Sequence, residues 1–149
     1  MENAMLLQLL AALIGSLGYA ILQKVRGRQI VFAGIGGVAS WGVYLLAYNL
    51  VNSYFLATLI AAIFVAIYAE IMARVNRAPS TIFLTTCAVP LIPGSNLYNT
   101  VYGLVTQDYD FAYLNAVTAI VVALGICFGF IMVTVIMKLF IRDAKGGQA

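Results

Sequence analysis

The residues best suited to chemistry form the run Val89–Tyr98, which reads Val-Pro-Leu-Ile-Pro-Gly-Ser-Asn-Leu-Tyr. Proline lacks a backbone N–H and clashes with the preceding turn, at a cost of ~3 kcal/mol or more inside a helix. Pro90 and Pro93, followed by Gly94, therefore predict that one helix ends here and that a second begins near Gly94. The free amides at the start of that second helix carry partial positive charge, which suits a carboxylate or a phosphate.

Polar residues follow the break directly. Ser95 and Asn96 belong to the types preferred at helix N-caps. Together with Pro93 and Gly94 they form the predicted substrate-binding site, because transporters recurrently build such sites from a helix broken at mid-membrane. The alternative is a structural proline kink that packs against neighbouring helices.

Side chains on the next helical turns extend this predicted site. Tyr98 and Tyr102 are spaced i, i+4 and share one helix face, with Asn99 beside them. Their polar groups could bind the hydroxyl, ammonium or carboxylate of a substrate. They could equally bond a backbone carbonyl of another helix.

Glu70 is the one acidic residue well inside an apolar segment. An ionisable residue at that depth is a functional candidate, and we predict that it binds a substrate ammonium or carries a proton. The alternative is an ion pair with Arg74, which follows at i+4 in the favourable order for a helix. The two roles are compatible.

Enzymatic and metal chemistry are not favoured. The chain has no histidine, which is the commonest general base and metal ligand. Cys87 and Cys127 lie in apolar stretches without metal-ligand spacing and are interpreted as packing residues. Ser95 therefore has no histidine to activate it, and Glu70 has no second carboxylate in the apolar zone. We predict no enzyme activity, no metal site and no cofactor.

The amino-acid composition indicates that these residues belong to a membrane protein. Of 149 residues, 64% are hydrophobic and 9% are charged, whereas soluble domains have about 25% charged residues. A helix that spans a bilayer takes roughly 20 apolar residues. We predict an all-α integral membrane protein with a single transmembrane domain, residues 1–149. Its five spans are residues 4–23, 29–50, 54–73, 80–107 and 111–141, and the fourth is broken at Pro90–Gly94 near its middle.

The charges predict the orientation. Lysine and arginine in short loops stay cytoplasmic. With five spans, all eight cations fall on one side of the membrane: Lys24, Arg26, Arg28, Arg74, Arg77, Lys138, Arg142 and Lys145. The other side holds Glu2 and the acidic turn of Asp108 and Asp110. The predicted topology is therefore N-terminus outside and C-terminus in the cytoplasm. This distribution of cations gives no reason to expect nucleic-acid binding.

Small and aromatic residues predict helix packing. Gly125 and Gly129 form a close-approach pattern for helices in lipid, and Gly34, Gly36, Gly37 and Ser40 give the second span a smooth face. These faces are interpreted as packing within one protomer, with an intersubunit contact as the alternative. Trp41 and Tyr44 are interpreted as core residues, with lining of the site cavity as the alternative.

The chain resembles the threonine/serine exporter family, specifically its small membrane subunit or the equivalent C-terminal half of fused members. The resemblance covers roughly residues 4–135 and lies in Gly37, Trp41 and Tyr44, the runs Tyr68–Arg74 and Ala78–Phe83, Pro90–Gly94, Tyr98 and Tyr102. Pro-x-x-Pro-Gly-x-x-x-Tyr after Glu-x-x-x-Arg is its most specific element.

This resemblance implies a multi-pass subunit of a bacterial inner-membrane exporter for small hydrophilic metabolites, typically threonine and serine. It also implies a larger membrane subunit as partner, and a homo-oligomer is the other way to complete a transporter. The chain has no nucleotide-binding loop, so a secondary active mechanism is expected, with proton coupling a plausible energy source. The alternatives are export of small dicarboxylates such as succinate, and a non-transporting membrane scaffold.

Overall fold

The computed structural model describes residues 2–25 and 27–146, and the side chains of residues 5–25 and 27–139. These residues form six α-helices, one short 3₁₀ turn and no strand, so the all-α class is confirmed for this part of the chain. The helices are α1 (Glu2–Leu22), α2 (Arg28–Val51), α3 (Tyr54–Asn76), α4 (Ser80–Ala88), α5 (Gly94–Val105) and α6 (Tyr109–Gly146).

Within the described residues, four helices are long and apolar enough to cross a membrane: α1, α2, α3 and α6. The chain is therefore a multi-pass membrane protein by length and composition. The residues of the predicted fourth span form two shorter helices, α4 and α5, on either side of the 3₁₀ turn Val89–Leu91. Neither is among the four candidate spans, so the fifth span and the orientation stay predictions. Arg26, one of the cations behind the predicted orientation, lies outside the described residues, as do the side chains of Arg142 and Lys145.

The helices end at the polar turns that the sequence marks. Asn52 closes α2 and Arg77 closes α3, each with a left-handed φ of 50°. The N–H of Asn52 donates to Tyr48 O, which satisfies one carbonyl of the last helical turn. At the acidic turn, Asp108 Oδ1 accepts the Phe111 N–H at 3.2 Å, so this carboxylate caps the start of α6.

Glycines on α2 bring three helices into close contact. A Cβ at Gly34 would lie 2.7 Å from Leu17 Cδ2 of α1, and a Cβ at Gly36 would overlap Cys87 of α4 and Tyr68 of α3. Ser40 adds a polar contact, since its Oγ lies 2.8 Å from Cys87 O. The smooth face of α2 therefore packs inside the protomer, as interpreted from the sequence.

Glycines also allow close contact between α3 and α6. A Cβ at Gly129 would lie 2.6 Å from Ala62 Cβ, and a Cβ at Gly125 would lie 3.1 Å from Phe55 O. The glycine pair therefore lets α6 approach the backbone of α3 within one chain, which confirms the intraprotomer interpretation. In this arrangement α4 packs on α1, α2 and α3, whereas α5 packs on α6.

Candidate functional site

The helix break lies where the two prolines predict it. Helix α4 ends at Ala88, and the 3₁₀ turn Val89–Leu91 is closed by the Ile92 N–H, which donates to Val89 O at 3.2 Å. Ile92 itself is extended, with φ −63° and ψ 128°. Because neither Pro90 nor Pro93 has an N–H to donate, the helical hydrogen-bond pattern is interrupted between α4 and α5.

The first turn of α5 leaves two amides free. The Gly94 N–H donates to Ile92 O at 2.7 Å, and the Leu97 N–H donates to Pro93 O at 3.0 Å. Between them, the amides of Ser95 and Asn96 have no acceptor within the helix, as in the first turn of any α-helix. Pro93 occupies the N-cap position and Gly94 is the first helical residue, so Ser95 and Asn96 are the second and third residues of α5 and not its cap.

A cavity of about 210 Å³ opens at this break. Its wall comes from the break itself, the first turn of α5, and one face each of α2, α3 and α6. It is lined by Trp41, Tyr44, Tyr54, Pro90, Leu91, Ile92, Pro93, Ser95, Asn96 and Val122. Trp41 lies near the middle of α2, so the cavity is about halfway along that span. Three of the predicted site residues, Pro93, Ser95 and Asn96, are therefore brought together.

Aromatic rings form one wall of this cavity and continue beyond it. We call Trp41, Tyr44, Tyr48 and Tyr54 the aromatic ladder. Successive ring centroids are 4.9, 6.1 and 5.1 Å apart, and the first two pairs are stacked. Trp41 and Tyr44 pack against the buried cluster of α3, α4 and the 3₁₀ turn, which confirms their interpretation as core residues. They also line the cavity, as the alternative interpretation expected. Sequence reasoning missed Tyr54, because its place in the wall depends on how α3 packs beside α2.

A second cavity of about 310 Å³ adjoins the first, and Trp41 and Pro90 line both. The remaining lining residues are Gln8, Ala11, Ala12, Gly15 and Val89. The Trp41 indole Nε1–H donates to Gln8 Oε1 at 3.4 Å, a long hydrogen bond that links α2 to α1. Trp41 is therefore held by α1 where the two cavities adjoin.

The other predicted residues of α5 do not line the cavity at the break. Tyr98 is 69% exposed and Tyr102 is 54% exposed, and their stacked rings have centroids 6.3 Å apart on the outer face of α5. Asn99 Nδ2 donates to Asn115 Oδ1 at 3.4 Å, which ties α5 to α6. A Cβ at Gly94 would meet no atom within 4 Å.

Glu70 does not line the cavity at the break either. It lies on α3 sixteen residues after Tyr54, which at ~1.5 Å per residue is roughly 24 Å along the helix axis. Its side chain is half-buried, and Arg74 is exposed. The ion pair with Arg74 and the role of Glu70 in binding or proton transfer stay predictions.

The position of Tyr98 leads to a testable prediction. Tyr98→Phe should leave the KM for threonine, the substrate that the sequence resemblance implies, within about twofold of wild type, because the hydroxyl lies on an exposed face outside the cavity. The measurement is transport kinetics in proteoliposomes. Ser95→Ala, which changes a cavity-lining hydroxyl, is the matched comparison. A tenfold rise in KM for Tyr98→Phe would show that this face contacts the substrate.

A family model described as Threonine/Serine exporter, ThrE, matches residues 8–136, which is most of the chain. The match includes every residue that lines the cavity at the break. A comparison with curated proteins finds no match, and a comparison with solved structures finds none.

Proposed function

Since the chain belongs to the threonine/serine exporter family, we propose that it works in the secondary active export of small hydrophilic metabolites, with threonine- and serine-like amino acids as substrates. The cavity at the helix break is the proposed substrate site. With a volume of about 210 Å³, it is smaller than the ~300–1,000 Å³ typical of sites for drug-sized ligands. It therefore suits a molecule of few atoms.

The main support for this proposal is that the first turn of α5 forms part of the cavity wall. The free amides of Ser95 and Asn96 provide two hydrogen-bond donors, and the helix dipole adds partial positive charge. In the proposal, the substrate carboxylate accepts hydrogen bonds from these amides. The Asn96 side chain and the Ser95 hydroxyl are within the same lining and can bond the substrate's own hydroxyl.

The break also meets a requirement of the lipid environment. Non-helical backbone at membrane depth is tolerated only where it is buried in protein or lines a wet cavity. The residues of the break, from Pro90 to Pro93, line the cavity. A kink with a purely structural role would instead be filled by neighbouring side chains.

For the transporter as a whole, we propose five spans, with the N-terminus outside and the C-terminus in the cytoplasm of a bacterial inner membrane. The broken fourth span then consists of α4 and α5. A single chain of five spans is small for a gated transporter, so a larger membrane subunit or a second copy completes it. A partner with the opposite orientation would form an inverted repeat, the symmetry used by alternating-access carriers.

Energy coupling is proposed to use protons. Glu70 lies inside the apolar part of α3 toward its Arg74 end, where a carboxylate could take up a proton on the cytoplasmic approach. In this proposal Glu70 acts on coupling and not as a ligand in the cavity at the break, because it is not among the residues that line that cavity.

The test is reconstitution of the purified chain in proteoliposomes, with and without the larger subunit. We expect threonine to move against its gradient when a proton gradient is imposed, and only when the transporter is complete. A scaffold would give no solute flux in either preparation, and that result would refute the proposal. Flux far above carrier turnover rates, without accumulation, would identify a pore instead.

A further inference from the structure

The cavity at the break and the second cavity adjoin at one aromatic side chain. Among their described lining residues, only Trp41 and Pro90 are shared by both. The Trp41 indole stacks on Tyr44, which lines the cavity at the break, with ring centroids 4.9 Å apart. Its Nε1–H donates to Gln8, which lines the second cavity. The indole therefore lies between a wall residue of one cavity and a wall residue of the other.

We propose that the Trp41 indole sets the upper size of the substrate side chain by closing the cavity at the break toward the second cavity. This inference rests on the proposed function and names the residue that imposes the size limit. Gln8 is a positioning residue, since it contacts the indole but does not line the cavity at the break.

The volumes of the two cavities support this assignment. The cavity at the break has about 210 Å³, whereas the second cavity has about 310 Å³. With the indole in place, a substrate bound to the α5 amides has only the smaller volume for its side chain. If the indole is removed, the space that it vacates borders both cavities and joins them. The joined volume then lies within the range of ~300–1,000 Å³ that is typical of sites for larger ligands.

The wall of the second cavity suits an apolar side chain. Apart from Gln8 and Trp41, the second cavity is lined by Ala11, Ala12, Gly15, Val89 and Pro90. None of these five side chains has a polar group. A substrate with a longer apolar side chain can therefore keep its carboxylate on the α5 amides and bury its added carbon atoms there. Each methylene group buried in this way increases affinity by about fourfold.

Packing holds the indole in its position. The ring is half-buried and contacts a cluster of buried side chains from α3, α4 and the 3₁₀ turn, which includes Val65 and Leu91. Stacking on Tyr44 and the hydrogen bond to Gln8 add contacts on α2 and α1. Because four elements besides the loop of the break surround the ring, it forms a fixed limit for the substrate side chain.

The experiment measures competition with the uptake of labelled threonine by the complete transporter in proteoliposomes. The competitors are unlabelled threonine and phenylalanine, which share the α-ammonium and α-carboxylate groups and differ in the side chain. For wild type, we expect the inhibition constant of phenylalanine to be at least about tenfold higher than that of threonine. Trp41→Ala should lower the ratio of these two constants by about tenfold or more. Gln8→Ala should lower it less, because the ring loses one contact and stays in place.

Two further variants isolate the cause. Phe64→Ala removes a ring that packs against the same buried cluster but lines neither cavity, and it should leave the ratio within about twofold of wild type. Ala11→Phe combined with Trp41→Ala places a ring in the second cavity from α1, where Ala11 is exposed. This double variant should restore most of the preference for threonine.

Gel filtration in detergent checks that the variants fold. If Trp41→Ala does not fold, Trp41→Leu opens part of the same space with a smaller loss of packing, and the same ratio is measured. An unchanged ratio in the folded variant would show that the indole does not limit the substrate side chain. An equal change in Phe64→Ala would indicate a general loosening of the core and would also overturn the inference. Wild type that does not transport threonine at all would instead refute the proposed function, and with it this inference.

Discussion

Ser95→Pro should raise the KM for threonine at least tenfold while leaving the helices intact. Proline in the first turn of a helix removes an N–H that has no helical partner, so α5 keeps its hydrogen bonds. The variant therefore deletes one of the two amides that we propose to bind the substrate carboxylate. A hydrogen bond to a charged group is worth about 1.5–3 kcal/mol, which corresponds to about 10–100-fold in affinity.

The control for this prediction is Ser95→Ala, which keeps the amide and removes only the hydroxyl. Its KM should rise much less than that of the proline variant. Initial rates of threonine counterflow in proteoliposomes measure both, and helical circular dichroism verifies that α5 has not unfolded. Equal KM values for the two variants, with helicity preserved, would mean that the Ser95 amide does not bind substrate.

Gly37→Ala should destabilise the protein by about 1–3 kcal/mol, the usual effect of overpacking. A Cβ at this position would overlap the Oγ and Cβ of Ser16 on α1, and Ser16 is fully buried. Helices α1 and α2 would have to separate, which would also disturb the contact between Trp41 and Gln8. The melting temperature of the purified protein in detergent measures the effect.

Two further variants isolate the cause. Gly42→Ala makes the same change on the same helix, where a Cβ would meet no atom within 4 Å, and it should be neutral or stabilising because alanine favours helix formation over glycine. Ser16→Gly combined with Gly37→Ala removes the overlapping atoms, and the next contact of the new Cβ is Ala12 O at 3.7 Å. The prediction fails if this double variant melts no higher than Gly37→Ala.

The helix break could be predicted from the sequence because its cause is local. Pro90 and Pro93 remove backbone donors wherever the segment lies, and α5 accordingly begins at Gly94. The close packing of Gly125 and Gly129 was predictable for a similar reason, since a residue without a Cβ allows backbone approach in any helix pair. Both features depend on a missing group, the N–H in proline and the Cβ in glycine, and the sequence alone shows where these residues are.

The wall of the cavity could not be predicted in full because it depends on the packing of distant segments. The spacing of Tyr98 and Tyr102 correctly places them on one face of α5, but the helix presents that face outward and packs its other side on α6. Conversely, Tyr54 reaches the cavity only because α3 folds back beside α2. Residue spacing shows which side chains share a helix face, whereas tertiary contacts determine whether that face is turned toward the cavity or away from it.

The length of α6 has a mechanical consequence. Its apolar stretch Tyr109–Leu139 has 31 residues, about 46 Å at ~1.5 Å per residue, whereas the hydrocarbon layer of a bilayer is ~30 Å thick. In a bilayer of that thickness, the helix must tilt or extend its first turns into the headgroup region to accommodate this mismatch. Because α5 packs on α6, we expect a thinner or thicker bilayer to shift the first residues of α5 as well. We therefore expect acyl-chain length to change the width of the cavity that we propose as the substrate site.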